Sequence, residues 1–106
     1  MSARLLRITN WEKLARCADF EPAKMAALCQ TSLRTLERFF AEHFHQSPRE
    51  WARALQCRLA RQLIASGYST KAAAVELKFA NGSHFCHQFK RIHGVPPQTF
   101  APGIPE

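Results

Sequence analysis

One long helix near the middle of the chain restricts the fold more than any other feature. Ser47-Pro48-Arg49-Glu50 combines capping-box spacing with a proline at the first helical position, and Gly67 supplies a stop. Residues 48–66 therefore predict a helix of roughly 19 residues, about 28 Å long at 1.5 Å per residue. In a chain of 106 residues, such a helix separates two shorter segments that must each pack around it.

Shorter helices are predicted on both sides of the long one. Their starts are marked by a capping box at Thr9-Asn10-Trp11-Glu12, by Pro22, by Ser32, by Ser69 or Thr70 and by Asn81, and Pro97–Phe100 adds one further turn. Strand-like alternation is nearly absent, so we predict an all-α fold of about seven helices. Helical spacing places these residues inward: Trp11, Leu14, Ala18, Met25, Ala26, Leu28, Cys29, Leu33, Leu36, Phe40, Phe44, Trp51, Leu55, Leu59, Leu63, Ala73, Ala74, Leu77, Phe85, Phe89 and Ile92.

Two parts of the chain repeat one layout. Residues 26–40 and 74–89 each contain a small residue, a tight turn, a cap and a helix anchored by an aromatic residue. Two short helices joined in this way have the form of a helix-turn-helix, because the small residue lets them approach closely. The predicted organisation is an N-terminal segment (1–8), a first helix-turn-helix subdomain (9–46), a linker helix (47–66), a second helix-turn-helix subdomain (67–100) and a flexible tail (101–106).

The last helix of this pattern has two contrasting faces. Phe85, Phe89 and Ile92 fall on one stripe, and the opposite stripe is small, polar or basic, with Ser83, Cys86, His87 and Lys90. A helix this short is marginal in water by itself, so it must be docked on a core that leaves its polar stripe exposed.

The chain is strongly basic. It has 15 Lys and Arg against 8 Asp and Glu, a formal net charge of +7, and most of the basic residues are arginine. A guanidinium group suits phosphates and base edges, although charge alone does not separate DNA from RNA or an acidic membrane surface. Combined with the exposed polar stripe, the charge predicts DNA as the partner.

Other classes of protein are disfavoured. Cys17, Cys29, Cys57 and Cys86 include no Cys-x-x-Cys pair, and the five histidines complete no convincing ligand set, so we expect no metal and no cofactor. The first three cysteines are predicted to be buried or half-buried. No signal peptide is evident, which predicts a cytoplasmic protein with reduced thiols. No apolar run approaches the roughly 18 residues that cross a bilayer, so no membrane association is expected.

At many spaced positions the sequence resembles the DNA-binding domain of the AraC/XylS class of bacterial transcription regulators. The resemblance runs from about Trp11 to Phe100. In the second unit it rests on Ser83-His84-Phe85, Phe89-Lys90-Arg91, Gly94, Pro97 and Phe100, and in the first on Ser32, Leu33, Leu36, Arg38, Phe40, Pro48 and Trp51. Lys78 and Gln30 stand where the family commonly has glycine in its tight turns, so a left-handed backbone at these residues would be modestly strained.

The resemblance implies two recognition helices that enter successive major grooves on one face of a DNA duplex. It also implies which residues contact DNA, position by position. In the first recognition helix these are Arg34, Thr35, Glu37 and Arg38; in the second they are Gly82, Ser83, His84, Cys86 and His87, with Asn81 and Lys90 nearer the phosphates.

Four of these residues allow alternative interpretations. Glu37 either accepts a hydrogen bond from a cytosine amino group or only orients Arg34 and Arg38, and orientation is slightly favoured. His84 is as well explained by packing as by base contact. Contact by His87 would make binding tighter at low pH. Cys86 is better explained as a small residue over a thymine methyl group than as a redox-sensing thiol.

The function predicted from the sequence is non-enzymatic, sequence-specific binding of double-stranded DNA in transcription regulation. One alternative is a helical module that binds protein, for example RNA polymerase, with DNA contact weak or incidental. Another is an enzyme that uses Cys86 or His87, which lacks any recognisable partner residues. Regulators of this class commonly carry a sensing domain before the DNA-binding part; the sequence shows no such domain and no small-molecule effector site, so a stand-alone regulator and a fragment are both expected possibilities.

Overall fold

The computed structural model describes residues 3–102, and side-chain burial from Leu5 onward. Residues 1–2 and 103–106, at the ends of the predicted N-terminal segment and tail, lie outside the described part. Within it there are seven α-helices, one 3-10 helix and no strand, so the predicted all-α class is confirmed. The helices are α1 (Ala3–Leu6), α2 (Trp11–Cys17), α3 (Pro22–Leu28), α4 (Leu33–His43), α5 (Pro48–Ala65), α6 (Thr70–Glu76), α7 (Gly82–His93) and the 3-10 helix (Pro97–Phe100).

The chain divides into two compact units, one ending at Arg53 and the other beginning at Ala54. The long helix α5 contributes residues to both. Its start is the predicted capping box, because Glu50 N donates to Ser47 Oγ at 3.1 Å and Ser47 N donates to Glu50 Oε1 at 3.2 Å. With 18 residues, α5 is about 27 Å long.

The first unit is built around the aromatic anchor of α4. Phe40 is fully buried, and the rings of Trp11 and Trp51 meet it edge-on with centroid distances of 5.0 and 5.5 Å. Asn10 caps α2 by accepting from Lys13 N at 2.9 Å. The capping-box spacing of Thr9 and Glu12 predicted this helix start, but the capping residue is Asn10, one residue later.

The second unit repeats this arrangement around Phe89 of α7. The rings of Phe89 and Phe100 are 5.8 Å apart, and those of Phe89 and His93 are 4.3 Å apart. The corresponding pairs of the first unit, Phe40 with Trp51 and with Phe44, are 5.5 and 4.7 Å apart. The duplication predicted for residues 26–40 and 74–89 therefore continues past α4 and α7, at the level of ring packing inside each unit.

Tight turns precede α4 and α7, and they have the same hydrogen bonds. After α3, Gln30 N donates to Ala27 O at 3.0 Å and Thr31 N donates to Ala26 O at 3.0 Å. This is the Schellman arrangement, which needs a left-handed residue, and Gln30 has φ 56°. After α6, Lys78 occupies the same position with φ 66°. Gln30 and Lys78 therefore both have a left-handed backbone without being glycine, which is the modestly strained conformation that the sequence predicted for them.

A buried glutamine fixes the end of α6 within the second unit. Gln56 on α5 is only 6% exposed, and its Nε2 donates to the main-chain carbonyl of Leu77 at 2.8 Å. Carbonyls at a helix C-terminus have no partner within the helix, so this bond satisfies a group that would otherwise be buried without one. It also connects α5 to the turn that precedes α7.

Three residues that the sequence predicted to be buried or half-buried are exposed in the structure. Leu28 is 53% exposed and Leu33 is 38% exposed, and Phe39 is buried in their place. Leu33 is the first residue of α4, a turn before the buried stripe begins, and Leu28 is the last residue of α3, at the edge of the buried stripe of Met25, Ala26 and Cys29. Cys17 is also exposed, whereas Cys29 is buried as predicted. Burial raises the pKa of the Cys29 thiol.

Candidate nucleic-acid interface

Helix α4 has a buried face and a polar, solvent-exposed face. Leu36 and Phe40 are buried, whereas Arg34, Glu37 and Arg38 are exposed. The exposed residues fall at i, i+3 and i+4, so they form one continuous stripe along the helix. The structure thus places three of the four residues predicted for the first recognition helix together on one accessible surface.

The two arginines of this stripe are not neutralised inside the protein. Among residues 3–102, neither Arg34 nor Arg38 has a hydrogen-bond or ion-pair partner, and neither does Glu37. Glu37 therefore pairs with neither arginine in the unbound chain, and the favoured role of orienting them stays a prediction. The spacing allows such pairs, but exposed pairs gain little in water and all three side chains extend into solvent instead.

Thr35, the fourth predicted residue of α4, is part of the helix cap. Its main-chain N donates to Ser32 Oγ at 3.1 Å, and the Ser32 hydroxyl donates to Thr35 Oγ1 at 2.9 Å. The side chain is half-buried. The threonine therefore fixes the start of α4, and its own hydroxyl proton remains available to an acceptor outside the helix.

Helix α7 is organised in the same way around different side chains. Phe85 and Phe89 are fully buried, and Ser83, His87 and Lys90 are exposed on the opposite side. The predicted split between the two faces is confirmed. This face holds no carboxylate, and its arginine, Arg91, is bonded to Gln88, so its chemistry differs from that of α4.

The start of α7 is held by Asn81. Its Oδ1 accepts from His84 N at 2.7 Å, so the side-chain oxygen is committed to the cap while the amide nitrogen remains exposed. The His84 ring is half-buried and lies 6.0 Å from the ring of Phe79. This placement gives His84 a packing role. Gly82 is exposed, and Cys86 is half-buried.

Two basic side chains in the second unit are engaged within the protein. Arg91 donates from Nε and from a terminal guanidinium nitrogen to Gln88 Oε1 at 3.2 and 3.0 Å. The guanidinium of Arg61 lies 4.7 Å from the centre of the Phe100 ring. By contrast, Lys90 has no such partner among the residues that the structure describes. The neighbouring cations Lys90 and Arg91 therefore differ in availability, which their sequence did not reveal.

A groove lies beside the start of α7. It has a volume of about 510 Å³ and is bounded by α6, the turn and the first half of α7. Its lining residues are Thr70, Lys71, Ala74, Val75, Phe79, Ala80, Asn81, Gly82 and Cys86. Lys71 is exposed and unpartnered within the described residues, and it lines the same groove as Asn81 and Gly82 at the start of α7. Lys71 was not among the residues predicted from the sequence, although its place in the first turn of α6 was visible.

No group of three or more His, Cys, Asp and Glu side chains within residues 3–102 is arranged to hold a metal ion. In the same residues, no helix combines the length and the apolar character needed to span a bilayer.

Comparisons with known proteins agree with this architecture. A family model described as a helix-turn-helix domain matches residues 25–102. The fold is similar to the crystal structure of a transcriptional regulator from Chromobacterium violaceum described as containing an AraC-type DNA-binding domain, with a TM-score of 0.72 and 20% identity over 84% of this chain and 86% of that one. No curated protein matches the sequence. The family match, which covers most of the chain, shows that this protein belongs to the AraC-type helix-turn-helix family.

Proposed function

We propose that this chain is a non-enzymatic transcription regulator that binds double-stranded DNA through α4 and α7, with the two helices in successive major grooves. The observation that carries the proposal is the shared construction of the two helices. Each has a fully buried aromatic face and an opposite face with at least one basic side chain that has no partner among residues 3–102, namely Arg34 and Arg38 on α4 and Lys90 on α7. Basic groups left unpaired on an ordered helix are suited to an anionic partner.

On α4, Arg34 and Arg38 supply the main contacts. They lie one turn apart, and each guanidinium is free to donate two hydrogen bonds to guanine O6 and N7 or to hold a phosphate. Thr35 sits in the first turn between them, with its hydroxyl proton free for a phosphate oxygen. We assign base reading to Arg38, because it lies nearer the centre of the exposed stripe.

On α7, recognition depends on smaller groups. Gly82 and Ser83 open the helix, where unpaired main-chain N–H groups favour an anion. Lys90 is assigned to a phosphate and His87 to a base edge or phosphate, with Cys86 as a small residue beside them.

The length of α5 supports simultaneous use of both helices. At about 27 Å it is comparable to the roughly 34 Å between successive major grooves of one duplex. α5 is helical without interruption from Pro48 to Ala65, and its residues are shared between the two units.

A protein-binding module remains the second candidate, because large apolar side chains are exposed outside the polar stripes. Leu6, Leu28 and Val75 are each more than half exposed, and they belong to three different helices. Single exposed apolar residues are ordinary on soluble proteins, so this observation is weaker than the paired polar faces. Contact with RNA polymerase stays a prediction.

Duplex binding by the purified chain at several salt concentrations tests the proposal. If the arginines and lysines neutralise phosphates, affinity falls steeply with salt, and selection from a random duplex pool yields two short conserved blocks about one helical turn apart. Salt-independent binding with no selected motif would favour the protein-binding module.

A matched pair of variants localises the interface. Arg38→Ala is expected to weaken binding to the selected site by about 1–3 kcal/mol and to relax selectivity at one base pair. Arg16→Ala is the control, because Arg16 is exposed in the same unit but already faces Glu12 across 3.6 Å. Equal losses for both variants would remove α4 from the proposed interface.

A further inference from the structure

A carboxylate lies in the middle of the basic stripe on α4. Glu37 is exposed between Arg34 and Arg38, and among residues 3–102 it forms no ion pair and no hydrogen bond. Two other glutamates of the first unit are engaged, since Glu12 faces Arg16 and Glu21 faces Lys24, each at 3.6 Å. Glu37 is therefore available to a partner outside the protein, on the same face as the two free arginines.

A carboxylate in this position needs a specific compensation when DNA binds. The phosphates repel it, so its presence costs affinity on every sequence. The repulsion is offset only where the groove offers a hydrogen-bond donor. Cytosine presents its N4 amino group there, whereas guanine N7 and O6 and thymine O4 are acceptors, and adenine places its N7 acceptor beside its amino group.

The neighbours of Glu37 allow it to reach a base edge. Ala41 follows one turn later on the same stripe and is exposed, and its methyl side chain leaves the helix free to approach the groove closely. The arginines on the preceding turn and at the next residue stay charged and can neutralise nearby phosphates or hold a guanine. Glu37 thus lies inside the reading surface.

We infer that Glu37 is a specificity-determining residue, whose unpaired carboxylate accepts a hydrogen bond from the N4 amino group of one cytosine in the half-site read by α4 and rejects the other three bases at that position. The inference rests on the proposed DNA-binding function. We prefer it to the role of orienting the arginines, because Glu37 pairs with neither of them among residues 3–102.

Selection experiments on three proteins test this role. The wild-type chain is expected to select cytosine at one position of the α4 half-site by about fivefold or more over each other base. Glu37→Gln is expected to lose that preference and to favour adenine, because a glutamine side chain can bond adenine N6 and N7 together. An unchanged motif in Glu37→Gln overturns the inference.

Glu42→Gln is the matched control. Glu42 lies on the same helix, is exposed and has no partner among the described residues, but it follows Arg38 by a full turn, at the C-terminal end of α4, whereas base edges are read by the first turns of a recognition helix. Both substitutions remove one negative charge and can raise affinity on all sequences equally. Only Glu37→Gln is expected to change the selected base, and a similar change in Glu42→Gln would also overturn the inference.

A chemical cycle isolates the hydrogen bond. Wild-type protein and Glu37→Ala are each measured on the selected duplex and on one in which a 2-pyrimidinone nucleotide, which lacks the amino group, replaces the cytosine. Removal of the amino group is expected to weaken the wild-type complex about fivefold or more beyond its effect on Glu37→Ala. Equal effects in both proteins mean that no such bond exists. If wild-type protein selects no motif at all, the proposed function itself fails, which is a different outcome.

Discussion

The residues that follow α4 and α7 should respond to substitution in opposite directions. His45 follows the C-terminal cap of α4 with φ 59°, and Gly94 ends α7 with φ 80°. Both are left-handed, but only glycine adopts this conformation without steric cost. His45→Gly should therefore stabilise the first unit, and Gly94→Ala should destabilise the second.

The expected magnitudes follow from the backbone angles. A left-handed backbone costs a residue with a side chain roughly 1–2 kcal/mol, and glycine gives back about 0.5–1 kcal/mol through its larger entropy when unfolded. His45→Gly should thus gain about 0.5–1 kcal/mol. His45 is exposed and has no partner among residues 3–102, so no side-chain contact is lost. No atom lies within 4 Å of a Cβ built on Gly94, so Gly94→Ala should lose about 1 kcal/mol from the backbone alone.

Urea unfolding followed by far-ultraviolet circular dichroism measures both changes. The midpoint should rise for His45→Gly and fall for Gly94→Ala while the slope m stays constant. Each 1 kcal/mol corresponds to roughly 4–8 °C in Tm for a domain of this size. If His45→Gly is neutral or destabilising, the left-handed strain assigned to the end of α4 is wrong.

Three further predictions concern single side chains. Lys90→Ala should weaken binding to all duplexes alike and reduce the slope of log affinity against log salt by about 1, as measured by anisotropy titrations; loss on the selected site alone would mean a base contact. Gln56→Met keeps the side-chain length but removes the donor to Leu77 O, so unfolding should become easier by about 1–2 kcal/mol, and unchanged stability would show that the bond contributes nothing. Burial raises the pKa of the Cys29 thiol, so the folded state holds its proton more tightly than the unfolded chain. That contribution to stability is complete below the ordinary thiol pKa and is lost as pH rises through the folded pKa. Between about pH 8 and about pH 10 the wild type should therefore lose more stability than Cys29→Ala, and parallel curves would contradict this.

Helix boundaries were predictable because caps are local. The bonds made by Asn10, Ser32, Ser47, Ser69 and Asn81 each join a side chain to a main-chain N–H three residues later. Such bonds depend only on neighbouring residues, so the sequence identifies them without knowledge of the fold. By contrast, α1 has only four residues, too few for a periodic pattern to show.

Burial was harder to predict where it depends on distant residues. Leu28 and Leu33 have apolar side chains at plausible helical positions, yet both are exposed. Gln56 has a polar side chain, yet it is buried because a carbonyl on another helix accepts its hydrogen bond. Spacing in a sequence fixes which residues share a helix face, but not which part of that face a neighbouring helix covers.

The sequence predicted which residues of the candidate site are exposed, but not which of them form ion pairs. Exposure of Arg34, Arg38, His87 and Lys90 followed from helical periodicity, since each lies opposite a buried aromatic residue. The sequence did not reveal that Glu37 is unpaired. Its spacing from Arg34 allows an ion pair, but an exposed pair gains little in water. Contact of these residues with DNA remains a prediction.

Helical phasing on DNA tests the central claim, that both recognition helices read one duplex together. Affinity is measured on the selected site and on variants in which the separation of its two blocks is increased by roughly half a helical turn, about five base pairs, or by a full turn. Because α5 connects the units through a continuous helix, the half-turn insertion should reduce affinity to that of a single block. Unchanged affinity after this insertion would contradict simultaneous reading by α4 and α7.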